Sequence, residues 1–164
     1  MALRRSIRWR SLQHGGLEQA RINQWDDSLN ARGAIVGQAG DVAHGVLYEI
    51  SLRLDWTFEA ILLQRTDGAM SVLRRSKDGG WFDMHAEELP ELAGCIDIDF
   101  EMTPFTNTLP IRRAPLAIGE SRLVKMGYRV RLAPNLTAWE GTLGLGGSDA
   151  ERLRAYRELL HDEA

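Results

Sequence analysis

The chain has 164 residues, 44% of them hydrophobic and 26% charged, with a net charge of −3. That length suits one domain with a core of its own, and the composition excludes a disordered chain. The acidic balance disfavours a general nucleic-acid binder, although local basic patches stay open, and the single cysteine, Cys95, excludes a disulfide framework or a cysteine-based zinc cluster.

Arg4, Arg5, Arg8 and Arg10 open the chain with no apolar run behind them. The reading is therefore a cytoplasmic protein without a secretory signal. The longest apolar stretches, such as Ala60-Ile61-Leu62-Leu63, are far too short to span a bilayer. Strand candidates lie around residues 6–12, 17–24 and 31–36, with Trp25-Asp26-Asp27-Ser28 as a turn between two of them. Val46, Tyr48, Ile50, Leu52 and Leu54 alternate with Leu47, Glu49, Ser51, Arg53 and Asp55, the pattern of a strand with one wet face. Residues 57–65 and 69–75 flank Thr66-Asp67-Gly68, and Lys77-Asp78-Gly79-Gly80 repeats that turn chemistry before Trp81. Both predict hairpins, because the glycines supply positive φ.

Ile96, Ile98, Phe100 and Met102 alternate with Asp97, Asp99 and Glu101, which predicts another half-buried strand. A short helix is expected over 108–114, with Thr108 as its cap and Pro110 in its first turn. Val124, Met126, Tyr128, Val130 and Leu132 return to period two, and a weaker strand follows over 136–140. Gly141, Gly144, Gly146 and Gly147 suggest a glycine-rich linker over 141–147. An amphipathic C-terminal helix is expected over 148–163, with Ser148 opening a capping box and Leu153, Tyr156, Leu159 and Leu160 on one stripe. No long helical pattern interrupts the strands. The expectation is one mainly β domain over 1–164, an antiparallel meander rather than an α/β fold.

The densest chemistry lies between Gly94 and Arg113. Asp97 and Asp99 fall on one side of a strand, about 7 Å apart. Two such carboxylates can share acid–base work, bind a hard cation or contact a polar ligand. The simpler reading makes them the wet face of the strand, or cross-strand partners of Arg129 and Arg131. Arg112 and Arg113 follow a segment rich in hydroxyls and amide, including Thr103 and Asn107, and guanidinium groups fork onto anionic head groups. The competing reading has one of them pair with Asp97 or Asp99 and fix the loop to the sheet. Glu18, after His14-Gly15-Gly16-Leu17, is a candidate acid or head-group acceptor if it lies inside a β-cavity, and a surface glutamate otherwise. The four histidines have no metal-ligand spacing, and no nucleophile elbow, phosphate loop or dinucleotide fingerprint is present. No metal and no cofactor are expected.

Gly94-Cys95-Ile96-Asp97-Ile98-Asp99, then Thr103-Pro104-Phe105-Thr106-Asn107-Thr108-Leu109-Pro110-Ile111-Arg112-Arg113 and Gly119-Glu120, closely resembles the signature of a bacterial family of unknown function labelled glycolipid-binding. Weaker agreement runs through Trp9, Gly16-Leu17-Glu18, Tyr48, Trp56, Gly80-Trp81 and Leu92. The resemblance covers roughly Trp9 to Glu140 and implies a spiral β-roll, a many-stranded antiparallel sheet wrapped around a central short helix. The family's shape is likened to that of lipoprotein carriers, and its label rests on that likeness. The family continues with further strands after about Leu136, where this chain reads as a linker and a helix.

Three functions follow as expectations. The first is binding of a glycolipid or other amphiphile, with Glu18, Asp97, Asp99, Thr103, Asn107, Arg112 and Arg113 as ligand contacts. The second is an enzyme acting on a sugar- or phosphate-bearing metabolite through Glu18, Asp97 and Asp99. The third is a structural or interaction module, for instance a homodimer joined through Leu153, Tyr156 and Leu160.

Overall fold

The computed structural model describes residues 4–11, 16–39, 42–100, 102–113, 120–129 and 137–144. The protein is mainly β, as the period-two patterning predicts. Contacts group the chain into two compact units, Met1–Gly94 and Cys95–Ala164.

The first unit is a seven-stranded antiparallel sheet whose strands follow chain order. They are β1 (Arg4–Arg10), β2 (Leu17–Gln24), β3 (Ser28–Ala39), β4 (Val42–Arg53), β5 (Phe58–Arg65), β6 (Met70–Arg75) and β7 (Trp81–Phe82). One face is buried. Ile22 on β2, Ala31 on β3, Ile50 on β4, Ile61 on β5 and Leu73 on β6 are almost completely removed from water. Each occupies the inward phase of its strand, so the two-residue period and the core are one fact. Phe58 and Trp81 stack within this core, their ring centroids 5.2 Å apart. Leu54, read as the last apolar residue of the β4 pattern, lies in the turn beyond the strand and is exposed.

Four tight turns, over 54–56, 66–68, 77–79 and 84–86, share one design, a three-residue loop whose last residue is left-handed. Gly68 and Gly79 take that position at φ of +92°. Trp56 takes it at +66° and Ala86 at +63°. Beside Trp56, the Thr57 N–H donates to Asp55 Oδ1 at 3.0 Å, which holds the Asp55 carboxyl below its ordinary value. A Cβ on Gly68 would meet no atom within 4 Å, so any cost of adding one comes from the backbone alone. Gly68→Ala is accordingly expected to lower stability by about 1 kcal/mol, whereas Ala86→Gly raises it by about half that, the extra entropy of an unfolded glycine offsetting part of the relief. Urea unfolding of the two variants checks the opposite signs.

The second unit holds a three-stranded sheet in the order β10–β9–β8, with β8 at Asp97–Phe100, β9 at Ser121–Arg129 and β10 at Thr137–Gly144. Two features depart from the meander. β8 and β9 run parallel, and the crossover between them carries a 3₁₀ turn (Pro104–Asn107) followed by helix α1 (Thr108–Arg113). Parallel neighbours need a connection of this kind, and period two does not distinguish them from antiparallel ones. Residues 141–144 of the expected glycine-rich linker are the second half of β10, paired with β9 from Gly141↔Val124 to Gly144↔Ser121. The C-terminal helix expected over 148–163 lies outside the described residues.

The helix expected from Thr108 is present, but Thr108 is not its cap. Thr103 caps the preceding turn instead, its hydroxyl accepting the Phe105 N–H at 3.1 Å. The Thr108 hydroxyl donates to the Phe105 carbonyl at 2.5 Å. Pro104 at the head of that turn begins the helical path four residues before the expected start at Thr108.

Candidate functional site

Glu18 sits on the inward phase of β2 and is only 6% exposed. The surface-glutamate reading therefore fails, and a carboxylate lies on an otherwise apolar sheet face. The Tyr48 hydroxyl donates to Glu18 Oε1 at 2.6 Å. Tyr48 belongs to β4, two strands away, so its ring must cross β3 to make this bond. It crosses at Gly33, its register partner on β3. A Cβ at Gly33 would overlap ring atoms Cε1 and Cζ of Tyr48. Glycine inside a strand weakens the sheet, and here it makes room for a side chain passing directly over the backbone.

The strand on the other side adds a third polar group. Trp9 on β1 is the register partner of Glu18, so both project from the same face. The Trp9 indole Nε1 is buried and has no hydrogen-bond partner among the described residues. An indole N–H can only donate. Trp9, Glu18 and Tyr48 thus place one unused donor beside a buried, tyrosine-held carboxylate. A hydroxyl suits such a place, because it can accept from the indole and donate to the carboxylate.

The other expected site residues lie in the second unit. Asp97 is 1% exposed, and the β8 burial pattern is not the alternation expected of a half-wet strand. Asp97 and Ile98, on opposite phases, are both buried, and Phe100 is buried on the side of Ile98, while Ile96, expected in the core, is exposed. Parallel strands covered on both faces behave this way. Asp97 is compensated by Arg113, whose Nη1 donates to Asp97 Oδ1 at 2.6 Å and whose Nη2 donates to Oδ2. The two groups form a forked ion pair, with the Arg113 side chain 26% exposed. Of the two readings of the arginine pair, this is the one that ties the loop to the sheet. The β9 register bears on the cross-strand partners expected for Asp97 and Asp99. Met126 and Tyr128 stand opposite Asp97 and Asp99, Arg129 stands opposite Phe100, and Arg131 lies outside the described residues.

Thr103 is buried and serves the turn, together with Thr106, whose hydroxyl accepts the Phe100 N–H at 3.2 Å. Asn107 is exposed, and Asp99 and Arg112 are half-buried. The structure thus joins Asp97 to Arg113 and Glu18 to Tyr48. Sequence reasoning missed the roles of Trp9, Gly33 and Tyr48 around Glu18. The available signal was a lone glycine inside a strand pattern, which marks a close approach. No helix among the described residues is long and apolar enough to cross a membrane.

The model of a family described as "Putative glycolipid-binding" matches residues 6–137. Among solved structures, a DUF1089 family protein from Pseudomonas aeruginosa is similar at 26% identity and a TM-score of 0.62. The match covers 84% of this chain and 75% of that one. None of the curated proteins compared matches the chain.

Proposed function

The chain belongs to that glycolipid-binding family, and we propose that it binds an amphiphile whose hydroxylated, sugar-like head group docks at Trp9, Glu18 and Tyr48. The observation that carries this reading is the buried Glu18 carboxylate, held by Tyr48 beside an indole N–H with no partner among the described residues. A sugar hydroxyl can accept from the Trp9 indole while donating to the Glu18 carboxylate. The apolar neighbours on the same face, Ile7, Ala20 and Ile35, suit an acyl or alkyl tail.

Taken by itself, the second unit offers Asp99, Asn107 and Arg112 as a separate set of proposed contacts for a polar ligand. Asp97, Thr103 and Arg113 support them by holding the crossover in place. A cytoplasmic setting belongs to the same proposal, on the strength of a single cysteine, the buried Cys95.

Native mass spectrometry of protein purified from a lysate, with titration of octyl glucoside below its micellar concentration, tests the reading. The expected result is a bound glucoside and about a tenfold or greater loss of affinity in Glu18→Gln, the cost of a hydrogen bond to a charged group. Glutamine keeps an acceptor for Tyr48, so the fold is retained. An alkyl chain without the sugar should bind more weakly. Absence of binding across a panel of glycosides and lipids overturns the proposal.

A further inference from the structure

The opposite face of the same sheet carries a different chemistry. Arg4, Arg8, Arg10, Arg21 and Arg32 all project from the outward phase of β1, β2 and β3, and all are exposed. The only acidic residue in those three strands is Glu18, which belongs to the buried face. Pairing brings the arginines together across strands: Ser6, Arg21, Arg32 and Glu49 form one row, with Arg8, Gln19, Ala34 and Leu47 in the next. Glu49 on β4 is already engaged, accepting from Arg32 at 3.0 Å and from the Asn30 side chain at 2.8 Å. A chain of net charge −3 therefore presents a strongly basic patch on one face.

Aliphatic side chains lie among the arginines. Leu17 and Val36 are register partners next to Arg10, and Leu47 lies one row away. These three are 54%, 57% and 54% exposed. Exposed apolar groups beside guanidinium groups match an interface that is anionic at its surface and apolar just beneath. Guanidinium groups fork onto phosphates, while aliphatic side chains enter the head-group boundary. A nucleic-acid backbone would use the arginines but would gain nothing from Leu17, Val36 and Leu47.

We propose that the outward face of β1–β4 is a docking surface for an anionic lipid bilayer. This proposal does not rest on the ligand reading, since it uses the opposite face of the sheet and none of its residues.

Flotation with phosphatidylcholine vesicles, with and without phosphatidylglycerol, tests it. The full chain should float with the anionic vesicles, stay behind with the neutral ones, and be released by high salt. Each arginine removed should lower the partition coefficient about fivefold, so Arg8→Gln combined with Arg21→Gln lowers it roughly twenty-five-fold. Both side chains are exposed, and an unchanged urea midpoint shows that the variant is folded. Leu47→Ser, with every charge intact, should also weaken binding. Failure to bind anionic vesicles at low salt overturns the proposal. So does equal binding by the double-arginine variant, or binding to duplex DNA without binding to vesicles.

Discussion

Gly33→Ala is expected to destabilise the protein by about 3 kcal/mol, an unusually large effect for a single added methyl group. The Cβ would overlap the Tyr48 ring where it crosses β3. The ring must then lift, and the hydroxyl leaves Glu18. The cost has two parts: overpacking of a close-packed face, and loss of a hydrogen bond to a buried carboxylate. Tyr48→Phe separates them. It keeps the ring over Gly33 and removes only the hydroxyl, with an expected cost of about 2 kcal/mol. Gly33→Ala should therefore be the worse of the two in urea unfolding. If alanine is accepted within about 0.5 kcal/mol, as at an ordinary surface position, the crossing of Tyr48 over β3 is wrong.

The second large effect concerns Arg113. Arg113→Met leaves Asp97 charged, almost wholly buried and stripped of both its forked donors. Breaking a buried pair from one side costs about 3 to 5 kcal/mol, and the partly exposed arginine places the loss toward the lower end. Replacing both partners, Asp97→Leu with Arg113→Met, removes the uncompensated charge and should recover most of that loss. A double-mutant cycle in urea measures this directly. Single variants that each cost under about 0.5 kcal/mol would mean that the pair holds nothing in place.

The elements that read well from sequence are those where period two and burial coincide. β2 covers the expected residues 17–24, and Val46, Tyr48, Ile50 and Leu52 all face inward on β4. Turns were equally readable where a glycine occupies the left-handed position. They were less so at Trp56 and Ala86, where the loop imposes that conformation on ordinary residues. Asp97 and Asp99 misled for a physical reason. Alternating charge describes a wet strand face, but a buried strand shows the same pattern when a distant arginine compensates the acid. Arg113 lies sixteen residues further on, and only the crossover through α1 brings it back. Gly141 and Gly144 misled in the opposite direction, since glycine in a paired strand looks like glycine in a linker. The sequence marks Glu18 as a candidate, but Trp9, Gly33 and Tyr48 around it come from three different strands, a relation that no spacing within one segment encodes.

The most direct test of the head-group site is the indole N–H resonance of Trp9, assigned by Trp9→Phe and followed during titration with octyl glucoside. If a hydroxylated head group docks beside Glu18, that resonance shifts and its hydrogen exchange slows, and Glu18→Gln diminishes both effects. Binding of the glucoside that leaves the Trp9 resonance and its exchange rate unchanged would contradict the site.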